Sequence, residues 1–504
     1  MIAKVLSGAL LGVKGQLVEV EADVSKGQMA FEIVGLPGSS VREARERVRS
    51  AIQNSGFKMP QRRITVNLAP ADIRKEGPSF DLPIAVSLLV ASGVVSQELV
   101  SDVFITGELS LDGSIRPVDG VLAMVAELPK IGITRCIVPV ENAQEAALVD
   151  GLEVVASRFL IELVEHLCDK PIQPTIASHV YETPPQDLPD IADIRGQASA
   201  KRALEISAAG GHNMLMIGPP GSGKTMLAQA LVGILPKPSF EESLEITKLY
   251  SVAGLMRDNQ KILTQRPFRS PHHSVSYAAL VGGGNIPRPG EISLAHGGVL
   301  FLDELPEFAR NTLEMLRQPM ESGDITIQRI RTPSITYPAR FVLLAAMNPC
   351  PCGFYGQRDN RCSCSPSDIS RYLGKVSGPL LDRIDIHMEM GAVDYQHISQ
   401  KTDADTSETV AARVSTAART AIARSGVRNG QLSPSLIEEH CRLGKDESDM
   451  IRMAFDNMHL SARAYHKVLK LARTIADLQG QENITMPCLA EALQYRALDR
   501  KYWY

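Results

Sequence analysis

The chain has little net charge and one tryptophan, and it contains no apolar run of membrane-spanning length. Each shortage excludes a class of protein. Lys and Arg number 53 against 57 Asp and Glu, a formal net charge of −4. No global basic field advertises nucleic acid, so a nucleic-acid surface must be local, a stripe or a pore. The opening segment, Met1 to Val13, is apolar but short and broken by Gly8 and Gly12. It lacks the continuous core and small-residue cleavage site of a secretory signal. No other segment reaches the roughly 20 apolar residues of a membrane helix. The expectation is a cytoplasmic protein with no membrane partner. In that compartment Cys136, Cys168, Cys441 and Cys488, scattered in apolar or helical contexts, read as buried reduced thiols. No repeat of solenoid length is present.

At 504 residues the chain is too long for one ordinary core. Apolar residues at 44% and charged residues at 22% place it among soluble globular proteins. Pro171, Pro174, Pro184, Pro185 and Pro189 crowd residues 171–190, a composition that keeps a segment extended. A second shift falls near 396–408, where Gln, Asp, Thr and Ser accumulate before a helical stretch that runs to the end. The expected division is a domain at 1–170, a linker at 171–190, a core at 191–395 and a helical lid at 396–504. In the first part, Gln16 to Val24 alternates like a strand, and Ile64–Leu68 and Val103–Gly107 are strand candidates. Ala44, Val48, Ala51 and Ile52 form a helical stripe, and Leu82 to Val95 is a mostly apolar helix. The fold class is α/β.

The segment Met214 to Ala228 reads as a short apolar strand, a glycine-rich loop and a helix start. Its loop, Gly218-Pro219-Pro220-Gly221-Ser222-Gly223-Lys224-Thr225, fits the phosphate-loop pattern in its required context. The glycines let backbone N–H groups turn inward around phosphates, and the helix N-terminus adds positive dipole. Lys224 supplies a cation for the β- and γ-phosphates of ATP, and the Thr225 hydroxyl a ligand for Mg2+. About eighty residues later, Gly298 to Leu302 is an apolar strand delivering Asp303 and Glu304. Asp303 would hold Mg2+ through water, and Glu304 would polarise the attacking water. A third strand, Phe341 to Met347, ends in Asn348, whose amide suits the lytic water but also suits an ordinary turn before Pro349.

Cys350-Pro-Cys352 and Cys362-Ser-Cys364 bracket a polar, glycine-containing loop. Four thiolates can close a tetrahedral structural Zn2+ site that staples such a loop. Free thiols or a redox pair are the alternative. The adjacent His272 and His273 are poorly spaced to share a metal and receive no metal role.

With Phe268-Arg-Ser-Pro-His-His, Pro289 to Phe308, Met347-Asn-Pro-Cys-Pro-Cys-Gly and Leu380-Leu-Asp-Arg-Ile-Asp, the chain resembles the ComM/YifB family. These are bacterial competence-related AAA+ proteins related to the magnesium chelatase ATPase subunit. The resemblance covers nearly the full length. It implies a homo-hexameric ring in the helix-2-insert branch, a parallel-sheet AAA+ core and a helical lid. It also implies bidirectional branch migration on single-stranded and branched DNA during integration of transforming DNA. Arg383 would be an arginine finger acting on a neighbour's ATP, the alternative being a local ion pair with Asp382 or Asp385. Arg463 resembles the lid arginine called sensor 2, and Ile194 lies in a segment resembling the adenine pocket. Ser461 is expected to cap the lid helix, with Tyr465, Val468, Leu469 and Ala472 buried and Lys467, Lys470 and Arg473 facing solvent. Gly323 to Arg340 resembles the pre-sensor-1 hairpin, with Arg329 and Arg331 near its tip as DNA contacts, although a solvated charged hairpin fits the same residues. Gly282 to Gly290 looks like the helix-2 insert. A chelatase-type or protein-remodelling motor that does not translocate DNA is the rival reading.

Lys75-Glu-Gly-Pro-Ser-Phe-Asp-Leu-Pro resembles the Lon protease segment that carries the nucleophilic serine, here Ser79. The resemblance implies a Lon-protease-like (ribosomal S5 domain 2-like) domain. The stretch resembling the approach to the Lon lysine, Thr106 to Gly120, is followed by Val121-Leu-Ala-Met-Val-Ala, with no lysine. A serine needs a base to become a nucleophile, so no proteolysis is expected. Arg42, Arg45 and Arg49 share a helical face and could meet phosphate, but Glu43 and Glu46 make a plain solvated helix the simpler reading.

Overall fold

The computed structural model describes residues 2–176, 188–256, 262–284, 287–328, 334–356, 361–391, 405–458, 460–496, 498 and 502. Arg329 and Arg331, Pro184 and Pro185, and most of the 396–408 shift lie outside the described residues. No helix among the described residues is long and apolar enough to cross a membrane.

The first 170 residues build a seven-stranded mixed sheet. Its order is Ala30–Val34, Arg63–Ala69, Lys14–Ser25, Ile2–Leu11, Val103–Ile105, Arg135–Pro139, Glu153–Ser157. The apolar opening segment is thus a strand, paired antiparallel with Lys14–Ser25 from Ile2↔Asp23 to Leu11↔Lys14. In Lys14–Ser25 the period of two buries Val18, Val20 and Ala22 on one face. That face meets the helix Ser39–Asn54, through Val41, Ala44, Val48, Ala51 and Ile52, and the helix Asp81–Ala91, which is buried almost throughout. Asp81 opens the latter helix fully buried, 2.6 Å from Arg47.

The second sheet is parallel and five-stranded, in the order Phe268–Arg269, Val299–Leu302, Val342–Met347, Met214–Ile217, Ile386–Glu389. Its middle three strands are wholly buried, as a sheet covered on both faces requires. The pairings Leu302↔Ala345 and Ile217↔Met347 place the ends of these three strands side by side. Residues that follow those ends are therefore neighbours, although far apart in sequence. The helices Ala198–Gly210 and Lys224–Ile234 share one core with the C-terminal helices Ser407–Ser425, Pro434–His440, Lys445–Met458, Ala462–Leu478 and Met486–Gln494.

Ser461 caps the Ala462–Leu478 helix by accepting from the Ala464 N–H. Val468, Leu469 and Ala472 are buried as expected, and Tyr465 is half-buried. The expected solvent face is corrected. Lys467 is turned inward, 3.1 Å from Asp385. Lys470 Nζ donates to the Gly430 carbonyl at 3.1 Å. Arg473 is 2% exposed and donates to the Gln481 and Glu482 carbonyls at 2.7 Å. The helix is covered on this side too, and each cation meets a carboxylate or carbonyl there; burial lowers the pKa of Lys467 and Lys470, with Asp385 opposing. Burial pushes the Asp385 carboxyl up, but Lys467 and His212 pull it back to well below the usual carboxylate range. Cys168 is a second correction: it ends the Leu160–Cys168 helix and is exposed, whereas Cys136, Cys441 and Cys488 are buried.

The two sheets' assemblies are in contact. The helix Val121–Val125 lies against the helix Phe240–Val252. Ser251 donates to the buried Glu145 at 2.6 Å, and Arg288 pairs with Asp119 at 3.0 Å. A Cβ on Gly12 would come within 2.8 Å of Ile335. Val121, Leu122, Met124 and Val125 are thus buried in an apolar cluster that includes Ile262 and Leu244 of the neighbouring assembly.

Candidate nucleotide site and cysteine cluster

The phosphate loop leaves the strand Met214–Ile217 at Gly218 and turns through Gly221 and Gly223, at φ +76° and +89°. Those left-handed angles are open to glycine at little cost and bring Lys224 to the first position of its helix. Lys224 Nζ donates to the carbonyls of Gly218 and Pro219, each at 2.9 Å, and to Asn348 Oδ1 at 3.3 Å. Burial lowers the Lys224 pKa, with Asp303 and Glu304 opposing. Thr225 Oγ1 donates to Asp303 Oδ2 at 3.1 Å, and Asp303 Oδ1 accepts the Glu304 N–H at 2.8 Å. Lys224, Thr225, Asp303 and Asn348, read from three separate segments, therefore meet in two pairs at the strand ends, Lys224 with Asn348 and Thr225 with Asp303. Pro219 and Pro220 shape the loop, and the Ser222 hydroxyl is buried.

Glu304 stands at φ +52°, ψ +47°, a left-handed conformation for a residue with a Cβ and a cost on the order of 1 kcal/mol. Its carboxylate lies 3.2 Å from His273 Nδ1. Sequence reasoning gave His273 no role. The signal was its place after the edge strand Phe268–Arg269, which neighbours Val299–Leu302, so that both strand ends open onto one site. The His273 ring also meets Phe308 edge-on at 6.4 Å. Ile194 is buried with Ile191 in the core shared with the lid. Close by, Gln197 donates to the Gly391 carbonyl at 2.8 Å and to that of Ser222 at 3.4 Å.

Two arginines are not brought to the loop of their own chain. Arg383 donates to the Pro379 carbonyl at 2.7 Å and to the Glu321 carboxylate, while Asp385 is taken by Lys467 and His212. Arg463 is exposed, with its guanidinium 3.9 Å from the same Glu321 oxygen.

All four clustered cysteines offer sulfurs within 4.8 Å of one another. Cys350–Cys352 is 3.3 Å, and Cys362 is 3.7 Å from both. Thiolates about 2.3 Å from a tetrahedral ion stand roughly 3.8 Å apart, so the donor set fits a metal ion. The Phe354 N–H, the largest of several influences, pulls the Cys352 thiol down to about 6. The cluster abuts the nucleotide loop: Cys350 follows Asn348 by two residues, and a Cβ on Gly353 would meet the Pro220 ring at 2.6 Å.

A parallel sheet with a phosphate loop, acidic and amide groups at adjacent strand ends, and a helical lid defines an AAA+-type nucleoside-triphosphatase fold. Family models narrow this. "Magnesium chelatase, subunit ChlI" matches residues 190–398, "Subunit ChlI of Mg-chelatase" matches 20–142, and "Magnesium chelatase, subunit ChlI C-terminal" matches 404–496. The chain is 45% identical to competence protein ComM of Haemophilus influenzae over 506 residues, covering 99% of this chain and 98% of that protein. It is 44% identical to YifB of Escherichia coli over 498 residues, 98% of this chain and 96% of YifB. A Lon protease of Syntrophomonas wolfei is 27% identical over 184 residues, 35% of this chain and 22% of that protein. The chain belongs to the ComM/YifB family of magnesium-chelatase-related AAA+ proteins. Such a family uses nucleotide and Mg2+. The Thr225 hydroxyl and Asp303 carboxylate, hard oxygens in contact, suit Mg2+.

Proposed function

We propose that the chain is a cytoplasmic ATP-hydrolysing motor that assembles as a homo-hexamer and translocates single-stranded and branched DNA, a branch-migration helicase serving recombination of transforming DNA. The convergence of Lys224, Thr225, Asp303, Glu304 and Asn348 at adjacent strand ends carries the hydrolytic part. Lys224 leaves its own carbonyls to bind the β- and γ-phosphates. Thr225, and Asp303 through water, would hold Mg2+, which would supply screening of the phosphate charge. Glu304 orients and polarises the water, with Asn348 beside it. Arg383, away from its own loop, serves a neighbour's nucleotide across a head-to-tail interface, and Arg463 is the sensor-2 arginine of the lid that touches the γ-phosphate. Ile194 lines the adenine pocket. In this reading residues 1–170 form a non-proteolytic Lon-like domain, 171–190 a linker, 191–395 the motor and 396–504 its lid.

The DNA part is supported by the hairpin Asp324–Ile327/Ile335–Pro338, which directly precedes the Asn348 strand, and by the relative named for competence. Arg329 and Arg331, between its strands, grip the phosphate backbone. The double variant Arg329→Ala/Arg331→Ala is expected to lose DNA stimulation of ATPase and to reduce the slope of log K against log salt by about 1.4 on single strands. Titrations of labelled single-stranded and branched DNA across salt measure this. Should DNA neither bind nor alter the wild-type rate, the DNA reading falls. The chelatase-like or protein-remodelling reading, which the match over residues 190–398 favours, then replaces it.

Cys350, Cys352, Cys362 and Cys364 hold one structural Zn2+. Chelation, or Cys352→Ser with Cys364→Ser, is expected to lower the melting temperature. It should also cut ATPase roughly tenfold, as loss of support around a site commonly does, because the cluster props Asn348 and the Pro220 turn. Metal analysis giving no zinc per chain, or an undiminished rate after chelation, would count against it.

A further inference from the structure

We propose that Glu321 is a positioning residue that keeps Arg383 withdrawn in the isolated protomer and releases it when the hairpin is engaged; this rests on the trans-acting role given to Arg383 above. Arg383 is not presented as a free finger. Its side chain is 10% exposed, one terminal nitrogen is fixed by the Pro379 carbonyl at 2.7 Å, and the other is fixed by the Glu321 carboxylate. With both terminal nitrogens held, the guanidinium has its charge paired and the terminal edge of its fork occupied, while Nε is buried without a hydrogen-bond partner. It can meet a neighbour's phosphate only by giving up Glu321.

Glu321 itself is half-exposed and therefore can move. It lies in the last turn of the Arg317–Ser322 helix, three residues before the first hairpin strand at Asp324. The connection is short and tied at both ends. Ser322 Oγ lies 3.1 Å from both the Gln318 and Asp324 carbonyls, to either of which its one proton can be donated, and Ala339 N–H donates to the Gly323 carbonyl at 2.7 Å. Displacement of the hairpin is thus passed to Glu321 over one turn of backbone. Arg463 stands 3.9 Å from the same oxygen, so in the isolated protomer the carboxylate has a second cation beside it. The consequence is that a load on the hairpin of one subunit licenses hydrolysis in the next.

The test is steady-state ATPase of full-length rings, with and without single-stranded DNA, for wild type, Glu321→Gln, Glu321→Ala, Glu321→Asp and Arg383→Ala. Ring size and melting temperature are checked for each. Loss of the carboxylate is expected to raise the DNA-free kcat about tenfold, the scale of one partly buried charged contact. DNA stimulation should fall toward unity and KM for ATP should stay unchanged. Glu321→Asp, which keeps the charge, should remain stimulated by DNA. A merely structural role would lower both rates together. If Glu321→Gln and Glu321→Ala leave the DNA-free rate unchanged or lower it while Arg383→Ala abolishes turnover, the latch is wrong and the finger stands. If Arg383→Ala hydrolyses at the wild-type rate, the finger reading fails and takes the latch with it.

Discussion

Glu304→Gln should bind ATP and hardly turn it over, with kcat falling by about 10²–10⁴ as expected for loss of a general base. The substitution keeps the side chain's shape and its capacity to meet His273, 3.2 Å away. What it removes is the carboxylate that, in the proposed mechanism, would accept a proton as water attacks. Lys224 and Thr225 are untouched, so nucleotide affinity should remain within a few-fold, consistent with a residue that acts in the transition state rather than in binding. Fluorescent-nucleotide titration beside phosphate release separates the two effects. A variant that binds ATP and still hydrolyses near the wild-type rate would remove Glu304 from the role of base. Loss of binding with loss of rate would point instead to a collapsed loop.

Arg383→Ala should be equally inactive for a different reason. A trans-acting arginine is worth about 10³–10⁵ in turnover, and each active site here would lose its neighbour's cation while keeping its own Glu304. The two defects can complement each other. In rings mixed equally from Glu304→Gln and Arg383→Ala chains, some interfaces pair an intact Glu304 with an intact Arg383. Random head-to-tail mixing makes these about a quarter of the total, and activity should return toward that fraction. If Arg383 acts within its own chain, every subunit carries one lesion and the mixture stays inactive. The absence of recovery in rings shown to be mixed would overturn the trans assignment.

The legible parts of the molecule were those where chemistry is written into consecutive residues. The run Gly218 to Thr225 dictates its own backbone, and the apolar strands before Asp303 and Asn348 announce both their burial and their ends. The C-x-C pairs needed only proximity, which one loop supplies. Pairings across long separations were not legible. His273 meets Glu304 because two strands are neighbours in the sheet, and strand order is not written in either segment. Lys467 and Arg473 looked like surface cations because helical spacing says which face a residue occupies, not how many faces are covered. Their partners Asp385, Gln481 and Glu482 arrive from other elements. Arg47 likewise meets Asp81 from a separate helix, and that pair links the two helices. Cys168 was misjudged at a helix terminus, where periodicity stops constraining exposure.

The left-handed backbone at Glu304 sets two kinds of selection against each other. Glycine, and to a lesser degree asparagine, would rest at φ +52° with less strain. Selection acting only on how much folded protein accumulates therefore favours replacing this glutamate, and only demand for turnover retains it. In a lineage where such a motor falls idle, position 304 would be among the first to drift, and the protein left behind would be better folded for having lost its trade.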